Sequence, residues 1–342
     1  MLDKSRTVPR FVFLLQPEFP INAFILATEA LRIVNQNSGR TLLTTTIVSA
    51  DGRDVRASNG MWIKPDESLA TMPAAEVVLV FEGNLPVQRN TNRLLSAIRA
   101  ARRHGSLIVG IDTGAFALTQ AGLLDETGAA VHWEAAPSYR ERFPGRITVD
   151  RLFVESGAVA SCAGGVATLD FMLTLVERFH GRALALEVAD ALVHTPRPGS
   201  SPQRRVDQSR ETTPSLSRRL IALMERNLDF PLAPSTLAAE LGISVRKLER
   251  HCRRIYGQSP MQLYLKVRLQ AARNLLFYEE QTMKDIADAC GFSYPSVFTR
   301  AFKAQFGETP RAFRLALRRR QGVGQTVRPE IARLARGGIR AG

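Results

Sequence analysis

The sequence predicts an open α/β sheet with helices on both faces, followed by an all-α domain built on two helix-turn-helix motifs, and three observations carry that prediction. Up to about Val193, short apolar runs alternate with helical patterns, the signature of strands covered by helices. Beyond residue 215 the pattern is helical throughout, and one stretch is written twice. LAAELGIS, VRKLERHCRRIYGQSP returns as DIADACGFS, YPSVFTRAFKAQFGETP, which sets Gly242 on Gly291 and Pro260 on Pro310. Charge divides at the same place: residues 204–342 hold 26 Lys and Arg against 12 Asp and Glu, a net of +14 that is the whole net charge of the 342-residue chain.

Taken in order, Phe11–Gln16 reads as the first strand, and Ile21–Gln36 as a helix with Phe24, Ala27, Leu31 and Val34 on its apolar face. Thr41–Ser49 is a second strand, and residues 51–65 have the composition of a small hairpin. Val77–Phe81, apolar on both faces, fits a strand buried in a parallel sheet. A polar helix from about Arg89 to His104 leads into the strand Leu107–Asp112. Leu152–Glu155 and Val159–Ser161 read as a strand pair about Ser156 and Gly157. Val166–Phe179 and Ala183–Val193 are amphipathic helices, the second with Leu184, Leu186, Val188 and Leu192 inward. Thr195–Pro214, rich in Pro, Ser and Arg, has the composition of a flexible linker.

Ser215–Asn227 opens the second domain, and Leu263–Phe277 joins the two motifs, which span about 234–256 and 283–306. In each copy a short helix (Leu237, Leu241; Ile286, Cys290) stops at a glycine, and a second helix follows over about Ser244–Tyr256 or Tyr294–Phe306. Helical spacing assigns Leu248, Cys252, Ile255 and Tyr256 to one buried face, and Val297, Ala301, Phe302 and Phe306 to the other. The opposite faces carry Arg246, Lys247, Arg250, Arg253 and Arg254, and Ser296, Thr299, Arg300 and Lys303. Phosphate neutralisation is the economical account of that charge, and a solvated basic surface is the alternative. The tail, 321–342, has the Arg/Gly-rich composition of a disordered basic segment.

The three cysteines, Cys162, Cys252 and Cys290, stand in apolar contexts without metal-ligand spacing, which excludes a disulfide framework and a zinc site. No cofactor and no metal is expected. No apolar run approaches the roughly twenty residues of a membrane span, so a cytoplasmic protein without a membrane partner is expected.

Asp112 ends its strand where the next helix begins, the place at which open α/β sheets present residues to a ligand. Asp and Thr113 are poor nucleophiles without special help, so the turn reads as a binding device. Asp112 either offers a carboxylate to a cationic ligand or caps the following helix, and the sequence leaves both open. Gly83, Thr113 and the His132–Trp133 cluster complete the expected effector site, with Phe19, Phe116 and Trp62 as further aromatic faces for a cation.

The repeated stretch resembles the DNA-binding domain of the AraC/XylS family of transcriptional regulators over about Ser215–Arg318. The resemblance implies two recognition helices in successive major-groove segments of double-stranded DNA, about 10 bp apart. It implies DNA-facing roles for Val245, Arg246, Lys247, Glu249 and Arg250, and for Pro295, Ser296, Val297, Thr299 and Arg300. Arg246 and Arg250 have the fork that fits guanine; Glu249 either accepts from cytosine or pairs with a neighbouring Arg.

About Pro9–Val193 resembles the class I glutamine-amidotransferase-like superfamily, which includes PfpI-type proteases and isocyanide hydratases. The resemblance rests on GIDTGAFALTQAGLLD, on His132–Trp133 and on SCAGGVATLD, and it implies a flavodoxin-like sheet. Catalytic relatives place a cysteine where this chain has Asp112, which implies a non-enzymatic domain with no catalytic residue; Cys162 reads as structural.

The pairing of the two domains resembles the GlxA-type regulators, in which such a domain senses an effector and dimerises. Residues 8–194 would then be the sensor, 195–214 the linker and 215–320 the reader. The implied function is a sequence-specific regulator, an activator in sign, with RNA polymerase and a second copy of itself as partners. Its implied effector is a small amino-acid-like or quaternary-ammonium metabolite, members of this architecture being associated with arginine, glycine betaine and carnitine. The alternatives are a ligand-independent dimeric DNA-binding regulator and an enzyme fused to a DNA-binding domain.

Overall fold

The structure is a computed structural model that describes residues 8–84, 86–124, 128–203, 216–278 and 281–320. Residues 204–214 of the expected linker and the expected tail, 321–342, lie outside the described residues.

The first strand, β1 (Arg10–Leu15), shows how the α/β half is built. Successive side chains point to opposite faces of a strand. Phe11, Phe13 and Leu15 enter one core and Val12 and Leu14 the other, all but fully buried. β1 pairs in parallel with β2 (Thr44–Ser49) on one side and with β6 (Val77–Glu82) on the other. The chain reaches β6 by way of the hairpin β3–β4 (Val55–Arg56, Trp62–Ile63) and the short β5 (Glu67–Ser68). Then β7 (Leu107–Asp112), β8 (Phe153–Ser156) and β9 (Val159–Cys162) complete a seven-stranded sheet of order β5-β2-β1-β6-β7-β9-β8, in which only β8 runs antiparallel. The sheet predicted from alternating apolar runs is thus the one observed, with a core on each face.

The helix α1 (Ile21–Ser38) covers the Phe11/Phe13 face together with α6 (Ala167–His180) and α7 (Arg182–Ala191). On the other face lie α3 (Asn92–Arg103), α4 (Gly114–Gln120) and α5 (Ala136–Arg142). The polar helix expected from Arg89 is two helices, the short α2 (Pro86–Arg89) and α3. Thr91, whose side chain accepts from the Leu94 amide, starts the second as its N-cap. Leu186 of α7 points outward, at 47% exposure, because Ala185, Val188 and Ala189 form the buried face. The segment after α7 is fixed as far as Gln203. Buried Asp170 accepts from the His194 ring at 2.7 Å and the Arg197 amide at 2.9 Å, and the Gly199 carbonyl accepts from Leu152 at 3.0 Å. The Pro, Ser and Arg that suggested mobility here form a strap.

The second half begins with α8 (Leu216–Arg226), and α9 (Pro234–Leu241) and α10 (Val245–Tyr256) form the first helix-turn-helix. The long α11 (Pro260–Tyr278) joins it to the second, α12 (Met283–Ala289) and α13 (Pro295–Phe306), and α14 (Pro310–Arg320) closes the domain. One end of α11 gives Leu263 and Tyr264 to the first motif's core, and the other gives Leu269, Ala272, Leu275 and Leu276 to the second's. Among the described residues, no helix is long and apolar enough to cross a membrane.

Candidate functional site

The two helices expected to read DNA are built alike. Ser244 caps α10 by accepting from the Lys247 amide at 3.3 Å, and Gly257 ends the helix in the left-handed conformation. α13 starts on Pro295, whose ring presets the first helical turn, and ends at Gly307 in the same left-handed way. Leu248 and Cys252 anchor α10, and Phe298 and Phe302 anchor α13.

Two assignments from spacing are corrected. Ile255 is 51% exposed and Val297 40% exposed, and the inward residue in the second copy is Phe298. The two readers superpose at an offset of fifty positions and the preceding glycines at forty-nine, because the turn before α13 holds one residue more. A one-residue slip turns a helix by about 100°, which exchanges Val297 for Phe298.

The exposed faces are those expected to meet DNA. Val245, Arg246, Lys247, Glu249 and Arg250 lie outward on α10, and Pro295, Ser296, Val297 and Arg300 outward on α13. Thr299 is half-buried, and its hydroxyl donates to the Pro295 carbonyl at 2.8 Å, so it meets a DNA partner mainly as an acceptor. A shallow groove is lined by Ser296, Thr299, Arg300 and Lys303.

One positioning residue was not expected. Arg268 of α11 donates to the Cys290 and Gly291 carbonyls at 2.7 and 2.6 Å, and its guanidinium lies 4.2 Å from the Phe292 ring centroid. It holds the turn between α12 and α13. The signal was an Arg on the otherwise apolar face of a long helix.

In the α/β half, acidic side chains gather at the carboxyl ends of three neighbouring strands. Asp112 ends β7 at φ 62°, in the left-handed region, and stands opposite Glu82 in the sheet register. A Cβ on Gly114 would fall 2.3 Å from the Val80 carbonyl and one on Gly110 would fall 2.7 Å from the Ala115 amide, so both must be glycine for strand and helix to meet this closely. Gly164 seals the other side: a Cβ there would sit 2.8 Å from the Asp112 carboxylate. Burial pushes the Asp112 carboxyl up to about 6, with the His132 ring opposing the shift and Glu134 adding to it. Thr113 is fully buried and donates to the Gly83 carbonyl at 2.7 Å. Burial also raises Glu82 well above the usual carboxylate range. Glu18, at φ 65° after β1, is ion-paired to Arg56 at 2.9 Å and is raised by burial too.

The structure brings Asp112, Thr113, Gly83 and His132 together, with Trp133 beside His132 at 5.9 Å between ring centroids. It does not bring the other aromatics there. Phe19 is fully buried edge-on to Phe24 at 5.6 Å, and Phe116 is fully buried edge-on to Tyr139 at 5.1 Å, one in each core. Trp62 stands on the hairpin, 63% exposed. Both phenylalanines follow a strand end, but their rings turn inward where apolar packing outweighs any contact with a ligand. Cys162 is fully buried on β9, and burial pushes its thiol up to about 12. Among the described residues no cluster of three His, Cys, Asp or Glu is placed to hold a metal ion.

The comparisons with known proteins follow the same division. The DJ-1/PfpI family profile matches residues 13–178, and a helix-turn-helix domain profile matches residues 237–316. The HTH-type transcriptional regulator CdhR of Pseudomonas aeruginosa is 35% identical over 311 residues, 90% of this chain and 92% of CdhR. The chain belongs to the HTH-type transcriptional regulators that join a DJ-1/PfpI domain to an AraC-type reader. The HTH-type regulator GlxA of Rhizobium meliloti shares 34% identity over 322 residues, 93% of the chain and 98% of GlxA. A THiJ/PfpI family protein from Pseudomonas syringae, 18% identical, matches at a TM-score of 0.50 over 71% of the chain and 98% of its own length, which shows the fold of this regulator's α/β half. It is a DNA-binding regulator.

Proposed function

We propose that this regulator is a ligand-responsive activator in which the α/β domain senses a small amino-acid-like or quaternary-ammonium metabolite and α10 and α13 enter successive major-groove segments. The observation that carries the reading is the strand-to-helix turn at Asp112. It has the tight glycine packing and left-handed backbone of a nucleophile turn but holds a desolvated carboxylate in place of a nucleophile. A carboxylate beside Trp133 and His132 suits a cationic group. The buried, unactivated Cys162 supports a non-enzymatic role. Asp112 would occupy the place of the cysteine of enzymatic relatives.

In this reading the domains divide near residues 194 and 215, and the α/β domains of two copies pair, so that two readers meet neighbouring half-sites of a promoter beside RNA polymerase in the cytoplasm. The direct contacts are Arg246, Lys247 and Arg250 of α10 and Ser296, Thr299 and Arg300 of α13, with Val245, Glu249, Pro295 and Val297 shaping the fit. Footprinting of the chain on the DNA upstream of its own gene, with and without L-arginine or glycine betaine, tests it. An effector-dependent change in footprint or affinity is expected, and identical footprints and affinities would remove the sensing role. Unchanged ligand affinity in Asp112→Ala would remove Asp112 from the site.

A further inference from the structure

A cavity of about 340 Å³ opens beside Gly83, at the carboxyl ends of β1 and β6. Its walls are Glu18, Arg56, Asn59 and Asn84 of the α/β domain, and its remaining boundary is Phe277 of α11 and Leu317 of α14, from the DNA-binding domain. We propose that this cavity is the part of the crevice that takes the effector, that the effector is a small zwitterion of zero net charge, and that occupancy is linked to docking of the DNA-binding domain. The inference rests on the reading that the α/β domain senses a metabolite, and it names where and how.

Size is the first argument. The volume lies at the lower end of small-molecule sites and corresponds to about eleven waters, which suits a metabolite and excludes a nucleotide cofactor. Charge is the second. The cavity is lined by one carboxylate and one guanidinium, so a ligand bearing one charge of each sign leaves no buried charge uncompensated, whereas a pure anion opposes Glu18 and a pure cation opposes Arg56. The carboxamides of Asn59 and Asn84 add neutral donors and acceptors that fix orientation. On the roof side, an aromatic ring and an aliphatic chain suit an alkylated cationic nitrogen better than a bare ammonium, which would have to give up its hydration.

The walls are fixed. Glu18 donates its amide to the Arg56 carbonyl at 2.8 Å and takes the Arg56 Nη1 at 2.9 Å, and Gly83 approaches so closely that a Cβ would fall 1.7 Å from the Glu18 carbonyl. The roof is fastened lightly by comparison. Phe277 packs on the core cluster of Phe116, Leu118 and Tyr139, α11 lies along α5, and Gln281 donates to Glu141. A ligand that touches both walls and roof binds the docked arrangement and not the undocked one. That is the differential affinity that a conformational response requires.

The test is calorimetric titration of the full chain with glycine betaine, with choline and succinate as probes that keep only the cation or only the anions. Glycine betaine is expected to bind at least tenfold more tightly than either. Arg56→Gln and Leu317→Ser are each expected to lose at least tenfold; Leu317 is half-exposed, so its variant folds even where the loss of Arg56 strains the Glu18 turn. Saturating glycine betaine is expected to slow amide exchange in the last turn of α11, and not in Leu317→Ser. Wild-type affinity in both variants together with a loss in Asp112→Ala would overturn the cavity and leave sensing at the crevice standing. No binding by any of the three probes at millimolar concentration would overturn both.

Discussion

Asp112 shows what one residue can disclose about a site. Its carboxyl is desolvated enough to be pushed up to about 6 from an ordinary 3.8, so between those pH values the folded chain holds a proton that the unfolded chain has released. The protonated carboxyl's contribution to stability is therefore fully present below about pH 4 and is lost as the pH rises through about 6. Asparagine keeps the shape, tolerates the left-handed backbone at φ 62°, and removes the titration. Asp112→Asn is expected to be more stable than the wild type by about 1–3 kcal/mol at pH 7.5, with the gain shrinking to nothing near pH 4. Urea denaturation across that range measures it, and equal stability at pH 7.5 would show that the carboxylate is not desolvated. A chain that retains a destabilising carboxylate at a turn otherwise packed with glycine is trading stability for binding.

At the scale of elements, the sheet and the helices were legible wherever periodicity alone decides. Leu107–Asp112 and the apolar face of α1 are as expected, because a strand between two cores and a helix over one of them leave continuous and periodic apolar patterns. The site was legible only in its frame. The order of strand, Asp112 and helix marked the crevice, but the rings of Phe19 and Phe116 look the same in sequence whether they turn to a ligand or to a core. Gly164, Glu18 and Arg56 reach the crevice from elements distant in sequence, as non-local contacts do. Arg268 is the same case in the reader. Replacing it by Ala removes two charge-assisted hydrogen bonds and a cation–π contact at the turn that positions α13. Arg268→Ala is expected to cost about 2 kcal/mol in thermal or chemical unfolding, and Arg268→Lys to recover little of it, because an ammonium cannot bridge two carbonyls and stack on a ring at once. A lysine variant with wild-type stability would reduce Arg268 to a simple charge.

Across the whole molecule, the docking of α11 on α5 left no mark in the sequence, since Phe277 and Gln281 satisfy a helical pattern equally well on either side of the interface. Charge, by contrast, was fully legible and makes a quantitative demand. Residues 1–203 are balanced and residues 204–342 carry the net +14, so the counterions displaced on binding DNA must come from contacts made by the second half. The logarithm of the affinity for a non-specific duplex should therefore fall linearly with the logarithm of salt concentration. Each phosphate contact removed should flatten that line by about one unit. Arg246 and Arg250 lie on the exposed face of α10, one turn apart. The double variant Arg246→Ala, Arg250→Ala is expected to reduce the slope by about two and to weaken binding most at low salt. Arg93→Ala, which removes an exposed charge from α3 on the balanced half, is expected to leave the slope unchanged. Fluorescence anisotropy on a labelled duplex over a salt series reads all three lines. A slope that falls with Arg93 and not with the α10 pair would place the DNA on the α/β domain instead.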